Sequence, residues 1–512
     1  MKTFYSRCLI VIALAMALLA RGILADEPER NGPWLVEHTP DRVFVQTAEM
    51  VLHPQPEPQP ALKYRLAPDA FDLLDGNSAI YYLKAMGFLE QTGAANELQK
   101  FRDKYRKQAG EQGVPVTNLP PYSWEDMAPK DLPIEEVKQY LSYTAFQPPL
   151  IAEATRRPNF TLDRNMRSVD NAIAYLLPEI QNIRELARTQ SIRCRLAIAE
   201  NRIADAVAIQ QQQMTLAKHV GGDEFLVSNL VGAAILGIAV QDMVYLLQHP
   251  EAPNMYWAFA SLPVPIINAE RSLPLERQFL MLQVKALREV DETPRPSGYW
   301  QDFVDRILPQ IRGLEIEGFT IGTDDPQISR AGFVTYIAAA YPGAKRYLLE
   351  ELKLESAQVD AYPTAQVVFL AAKRYHERSA DNAFKWFHLP FDQVQQLPAF
   401  KQSNEQQAQA SSRLGWASAA SDLMLPALGA FRSAQIRTQQ QVGLMQTIEA
   451  IRMYAAANAA KLPATLRDLP YPAPNDPFTG QPFTYQVDGE QAVLSGQPTP
   501  IVQYRFKLSV AK

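Results

Sequence analysis

Apolar residues recur at spacings of three and four over most of the chain, the period of an α-helix that buries one face. The clearest case is residues 178–220, where two such stripes are separated by a polar break at Glu200–Arg202. The first stripe consists of Ile180, Ile183, Ala187, Ser191, Cys194 and Ile198, and the second of Ile203, Ala206, Val207, Met214 and Ala217. Two amphipathic helices joined by a short turn predict an αα-hairpin here.

Further apolar segments predict more helices between residues 66 and 400. These segments are Phe225–Leu247, Glu270–Glu289, Tyr299–Gly313, Ala331–Leu352 and Pro363–Glu377. Prolines between them limit helix length, so we predict a mainly α body, an irregular helical-hairpin domain over 66–400. Residues 401–426 are rich in Gln, Ser and Ala, a composition that predicts either a polar linker or a solvated helix.

The last 85 residues have a different pattern. One long helix is predicted by a stripe that ends near Asn458, and its members are Phe431, Ala434, Thr438, Val442, Met445, Ile448, Ile451 and Ala455. Phe483–Val487 alternates as a strand, Asp488 and Gly489 form a two-residue turn signal, and Gln491–Leu494 can return as its partner. The sequence therefore predicts a small C-terminal α+β unit over 427–512, made of a long helix and a β-hairpin.

The first 25 residues have the three parts of a secretory signal. Lys2 and Arg7 supply the positive end, Cys8–Ala20 is an unbroken apolar run, and cleavage fits after Gly22 or Ala25. We expect a cleaved signal peptide over 1–25 and an exported protein, periplasmic or extracellular, with an uncleaved anchor as the alternative. Residues 26–65 hold alternating prolines at 54–60 and predict an extended, Pro-rich spacer.

Composition narrows the possible partners. Removing residues 1–25 takes away three basic residues and no acidic one, which changes the formal net charge from -5 to −8. A mildly acidic chain has no basic footprint for nucleic acid, and the one remaining cysteine, Cys194, cannot form an internal disulfide. The longest later apolar run, Leu230–Val240, is too short to cross a bilayer, so we expect no membrane span after signal cleavage.

Two local resemblances refine the fold. Leu196-Ala197, Glu200–Arg202, Ala206 and Leu216-Ala217 resemble part of a tetratricopeptide (TPR) repeat over about 35 residues, without a second copy at that period. Ile448–Tyr454, Lys461–Pro463 and Asp476–Tyr485 resemble the globular domain of a type II secretion pseudopilin over 427–496. That resemblance implies a pilin-like fold at the C-terminus, although the filament-forming N-terminal helix of pseudopilins does not precede it here.

The whole chain also resembles a family of exported bacterial helical proteins without an assigned activity. The matching segments are Leu62–Leu66, Tyr81-Tyr82, Ala252–Ala258 and Lys385–Phe387. The resemblance implies no chemistry.

Few motifs point to catalysis. Gly221–Phe225 spells the signature of diguanylate cyclases, but helical patterns surround it, so we interpret the glycines as a left-handed helix end and the acids as the start of the next helix. His376 and His388 lack the spacing of a zinc pair. Asp476 and Asp488 could offer oxygens to calcium, as in major pseudopilins, but turn capping explains them better. We therefore predict no catalytic, cofactor-binding or metal-binding residues.

These observations favour an exported, non-catalytic helical scaffold that binds a protein partner of unknown identity. Two alternatives remain open: an envelope hydrolase whose active-site residues meet only in the fold, and an accessory of a secretion apparatus. An exposed apolar groove would favour the scaffold, whereas convergent acids or histidines with shifted pKa values would favour the hydrolase.

Overall fold

The described residues are mainly α-helical, with a six-stranded sheet that belongs to a smaller α+β unit. The computed structural model describes residues 29–39, 43–87, 93–166, 178–312, 326–418, 421 and 426–511. The expected signal peptide over 1–25 lies outside these residues. The predicted fold class, a mainly α body with a C-terminal α+β unit, is confirmed.

The helices follow the hydrophobic pattern closely. In chain order, α1 to α8 are Ser78–Ala85, Gly93–Gln112, Ile134–Ser142, Gln147–Thr155, Pro178–Ala199, Ile203–Val220, Leu226–Leu246 and Tyr256–Ala260. The helices α9 to α16 are Ser272–Gln283, Ser297–Arg312, Pro326–Glu350, Ser356–Asp360, Thr364–Phe384, Phe391–Gln396, Pro398–Leu414 and Pro426–Ala457. The predicted αα-hairpin is formed by α5 and α6, and the turn between them contains Asn201 at φ 58°, a conformation that asparagine tolerates.

The sheet joins the two ends of the chain. Its strands are β1 (Glu29–Asn31), β2 (Trp34–His38), β3 (Phe44–Leu52), β4 (Thr484–Asp488), β5 (Gln491–Ser495) and β6 (Val502–Val510). The spatial order is β1-β2-β3-β6-β5-β4. The central pair, β3 and β6, is parallel and in register along its whole length, whereas the other neighbours are antiparallel.

The prediction of a spacer over residues 26–65 was wrong. Its first part supplies β1, β2 and β3, and its proline-rich part is held against the folded body. Trp257 Nε1 and Tyr471 Oη donate hydrogen bonds to Glu57 Oε1 at 2.6 and 2.8 Å. The prolines dominate the composition of the segment, but Phe44–Leu52 alternates, and three of its residues (Ala48, Met50 and Leu52) are at most 1% exposed.

One core unites the sheet with the helical body. The inner face of the sheet is covered by large apolar side chains, including Trp34, Met50, Leu52, Phe506 and Leu508. These side chains belong to the same cluster as Phe431 and Met445 of α16 and Leu236 of α7. The C-terminal unit therefore shares its core with the body. A second cluster, which includes Trp300, Phe303, Phe333 and Phe369, lies among α10, α11 and α13.

The glycines at the end of α6 differ from the sequence interpretation. Gly221 has φ −71°, and Gly222 is not left-handed either. A Cβ atom on Gly232 of α7 would lie 2.5 Å from the Gly221 Cα atom. Glycine is needed there because two helices approach closely. Asp223 and Glu224 precede α7, whose N-cap residue is Phe225.

Two other predictions concern single segments. The polar stretch at 401–414 belongs to α15, in which Ser403 and Leu414 are the buried residues, so the solvated-helix alternative holds there. In the C-terminal hairpin, Asp488 pairs with Gln491. The two-residue turn is therefore Gly489 and Glu490, one position later than predicted, and Gly489 has φ 60°.

The helix α7 is long and apolar enough to cross a membrane, by length and composition, yet 67% of its apolar window is buried inside the protein. It occupies the centre of the main core, where both its faces contact other elements. A helix that is apolar on all sides is the expected sequence of such a central element.

Candidate binding cleft

A cleft with a volume of about 530 Å³ separates the sheet from the helical body. One wall is the outer face of β1, β2 and β3, and the other is formed by the C-terminal ends of α5 and α7 and the 3-10 turn Pro129–Asp131. It is lined by Arg30, Pro33, Leu35, Thr47, Glu49, Ala128, Pro129, Lys130, Ile198, Tyr245, Gln248, His249 and Pro250. Its size lies within the usual range for ligand sites.

The sheet register sets the order of side chains in the first wall. Arg30 pairs with Leu35, Leu35 with Thr47, and Thr47 with Arg505. Directly paired residues of neighbouring strands project from the same face, so these four residues form one row across β1, β2, β3 and β6. We call it the basic row, since an arginine stands at each end.

The second wall is supported by a buried ion pair beneath Tyr245. Arg195 stacks its guanidinium 5.2 Å from the centre of the Tyr245 ring, and its Nε lies 2.7 Å from Asp242 Oδ1. Burial raises the pKa of the Tyr245 hydroxyl, so the ring remains neutral. The same guanidinium donates to the backbone carbonyls of Trp124 and Met127 at 3.3 and 2.8 Å, which holds the loop that leads to Lys130.

The cleft carries an excess of positive charge. Arg30 and Lys130 form no ion pair within the part of the chain that the structure describes. The same is true of Arg505, which ends the basic row beyond the cleft lining. The only acid of the lining, Glu49, lies 3.3 Å from Lys507, which neutralises it. The floor is apolar, because Leu35, Ile198 and the Tyr245 ring face the opening. The cleft therefore combines an apolar floor with a cationic rim.

A second, smaller cleft of about 200 Å³ contains ionisable groups. It is lined by His376, Glu377, Asp381 and Arg277, among others. His376 Nδ1 lies 3.2 Å from Ser421 Oγ, and burial lowers the pKa of His376. Arg277 pairs with Asp381 at 2.6 Å and Arg374 with Glu377 at 3.1 Å, so both acids of this cleft already have partners.

The residues of the cyclase-like string have structural roles. Asp223 Oδ2 accepts a hydrogen bond from Arg164 at 2.7 Å, and both side chains are at most 3% exposed. Asn229 donates to the backbone carbonyls of Gly221 and Asp223, at 3.0 and 3.2 Å, and thereby ties the string to α7. Among the residues that the structure describes, no three His, Cys, Asp or Glu side chains are grouped to hold a metal ion.

Asp476 and Cys194 are buried inside the structure. The Asp476 carboxylate accepts hydrogen bonds from the backbone N–H groups of Phe478 and Gln497 and from the Gln440 amide, at 2.7–2.8 Å. It therefore organises the loop before β4, as turn capping predicts. Cys194 is buried, and burial raises the pKa of its thiol, which leaves the thiol a poor nucleophile.

Aromatic residues that could line a groove pack internally. Tyr256 and Tyr471 stack with ring centres 5.3 Å apart, and Trp257 contacts the Tyr471 ring edge at 4.9 Å. Phe387 stacks on Phe431 at 5.9 Å. The first group fixes the proline-rich segment through Glu57, and the second joins the body to α16.

No family model, curated protein or solved structure matches the chain. The cleft therefore stands on its geometry alone. Its residues come from four distant parts of the chain, and sequence analysis missed them because none forms a motif. The usable signal was the alternation of Phe44–Leu52, which would have placed Thr47 and Glu49 on one face.

Proposed function

We propose that the protein is an exported, non-catalytic scaffold that binds a protein partner in the cleft between its sheet and its helical body. The observation that carries the proposal is the lining of that cleft, where Leu35, Ile198 and Tyr245 form an apolar floor beside Arg30 and Lys130. Neither cation has an ion-pair partner among the described residues. An apolar surface with a charged rim is typical of partner-binding sites.

Site-specific photocrosslinking in cells tests this proposal. Benzoylphenylalanine replaces Lys130 at the cleft rim or Lys401 on the exposed face of α15, each in the full chain, and crosslinked products are isolated from the envelope fraction. We expect one stoichiometric partner from position 130 and none from position 401. No crosslink from position 130, or the same products from both positions, would overturn the proposal. A secretion component as partner would support the accessory function.

An envelope hydrolase is a second candidate, favoured by the contact between His376 and Ser421. Ser421 is only 2% exposed, so a substrate would reach it poorly, and the hydrolase is the weaker of the two candidates. A fluorophosphonate probe, which labels activated serines, is added to the full chain and to the His376→Gln variant. Labelling of Ser421 that depends on His376 would establish the hydrolase, and its absence would exclude a serine nucleophile at this position.

A further inference from the structure

We propose that the occupant of the cleft is an extended peptide segment of the partner with two carboxylates four positions apart. This inference rests on the proposed function and names the chemistry that the cleft selects. One carboxylate pairs with Arg30 in the cleft lining, and the other pairs with Arg505, which ends the basic row on β6 beyond that lining. An apolar side chain between the two carboxylates lies over Leu35.

The spacing follows from the sheet. Arg30 and Arg505 stand on β1 and β6, which are three strand positions apart in the order β1-β2-β3-β6. Neighbouring strands are about 4.8 Å apart, so the two backbone positions are separated by about 14 Å. An extended peptide advances about 3.4 Å per residue, and four residues therefore span about the same distance. Acids at positions i and i+4 match the two arginines.

The charge of the cleft and of the basic row selects acids. Arg30, Lys130 and Arg505 have no carboxylate partner among the described residues, and Glu49 is already engaged by Lys507. The full chain carries a net charge of -5, so this local excess of cations opposes the overall sign. Guanidinium groups bind carboxylates through two parallel hydrogen bonds, a geometry that favours arginine at both ends of the row.

The apolar floor selects a peptide over a small dicarboxylic acid. Leu35 and Thr47 separate the two arginines in the row, and Ile198 and Tyr245 face them from the second wall. A small dicarboxylate would leave this surface in water, whereas an apolar side chain between the two acids would cover it. Recognition of acidic motifs by arginine clusters is a recurrent mode of peptide binding.

Fluorescence anisotropy tests the inference on the full chain. The probes are two fluorescein-labelled peptides, Glu-Thr-Leu-Thr-Glu and its counterpart with glutamine at both ends, in which the central leucine shares a face with the two end residues. We expect the acidic peptide to bind about tenfold more tightly at low salt, and the difference to shrink at high salt, because ionic contacts at the rim are screened. Equal affinity for the two peptides would overturn the inference.

Charge variants locate the contacts. We expect Arg30→Gln and Arg505→Gln each to lower the affinity for the acidic peptide about fivefold, and Lys130→Gln to lower it less. The matched control, Lys401→Gln with Lys461→Gln, removes two exposed positive charges away from the cleft and is expected to leave the affinity unchanged. The inference would be overturned if Arg30→Gln and Arg505→Gln left the affinity for the acidic peptide unchanged while their unfolding midpoints equalled that of the wild type.

Two further outcomes separate this inference from the proposed function. If glutarate displaces the acidic peptide at a concentration equal to that of the peptide, the site binds a small dicarboxylate, and the proposal of a peptide occupant is overturned. A crosslink from position 130 that survives Arg30→Gln and Arg505→Gln would keep the proposed function and refute the acidic segment. The absence of any crosslink from position 130 would instead overturn the proposed function itself.

Discussion

Arg452 donates a hydrogen bond from Nε to the backbone carbonyl oxygen of His53, 3.1 Å away and 399 positions earlier in the chain. The same guanidinium contacts Glu449 at 2.8 Å and the carbonyl oxygen of Ala252 at 2.8 Å. Both Arg452 and Glu449 are 0% exposed. One buried side chain of α16 thus holds the segment after β3 and the loop before α8 in place.

We expect Arg452→Met to lower the free energy of unfolding by about 3–5 kcal/mol, because Glu449 would stay buried without its counter-ion. Urea denaturation of the full chain measures this change. The exposed pair of Arg330 and Asp305, 2.6 Å apart, is the control, and Arg330→Met is expected to leave the unfolding midpoint within experimental error. Equal effects of the two substitutions would contradict the buried network.

The crossing of α6 and α7 provides a second test with a control in the same helix. Gly232→Ala would place Cβ 2.5 Å from Gly221 Cα, and overpacking of this kind is expected to destabilise the protein by about 1–3 kcal/mol. Gly237 has no atom near its missing Cβ, so Gly237→Ala is expected to stabilise by about 0.5–1 kcal/mol. Thermal unfolding of both variants measures these changes. Equal shifts of the two unfolding midpoints would contradict the close crossing of α6 and α7.

The strand β3 can be distinguished from a spacer by two neighbouring substitutions. Met50 is 1% exposed on the inner face of the sheet, and Val51 is 49% exposed on the outer face. We expect Met50→Asp to destabilise the protein by more than about 3 kcal/mol, because it buries a charge in the core. Val51→Asp is expected to change the free energy of unfolding by less than about 0.5 kcal/mol. In a solvated spacer both substitutions would be neutral.

The buried histidine of α6 makes stability depend on pH. His219 Nδ1 lies 3.0 Å from the Tyr82 hydroxyl, and burial lowers the pKa of His219 to about 3. The folded-state pKa of His219 lies below its unfolded value of about 6.5, so the neutral histidine contributes fully to the free energy of unfolding above pH 6.5. This contribution is lost as pH falls toward 3, by up to about 5 kcal/mol.

Urea denaturation at pH 7, 5.5 and 4.5 measures this dependence. We expect His219→Gln to flatten the loss of stability on the acidic side, since glutamine does not take up a proton. Tyr82→Phe is the control: it removes the hydrogen bond but keeps the histidine, so its loss of stability on acidification is expected to stay as steep as in the wild type. A constant difference between wild type and His219→Gln at all three pH values would refute the role of His219.

Local patterns in the sequence predicted the elements whose contacts are local. The αα-hairpin of α5 and α6 was predictable because each helix carries its own apolar stripe and the turn lies between them. The β4–β5 hairpin was predictable for the same reason, since a glycine turn joins two adjacent alternating segments. The position of the turn was wrong by one residue, within the usual uncertainty of element boundaries.

Contacts between distant segments were not predictable in this way. Nothing near Phe44–Leu52 indicates that its partner is β6, because a parallel pair needs no turn between its strands. The close approach of Gly221 and Gly232 does not appear in a local pattern either. The sequence therefore favoured a left-handed helix end at the glycines that follow α6, and this interpretation was wrong. The cleft depends on both long-range features, since Arg30 and Tyr245 meet only when the sheet docks on α7.

The parallel pairing of β3 with β6 also has a consequence for synthesis. Leu52 leaves the ribosome about 450 residues before Val502, which is roughly 25–90 s at the usual rate of translation. During that time one edge of β3 has no strand to pair with, and an unpaired edge invites aggregation. Chaperone protection would therefore matter most before β6 is made.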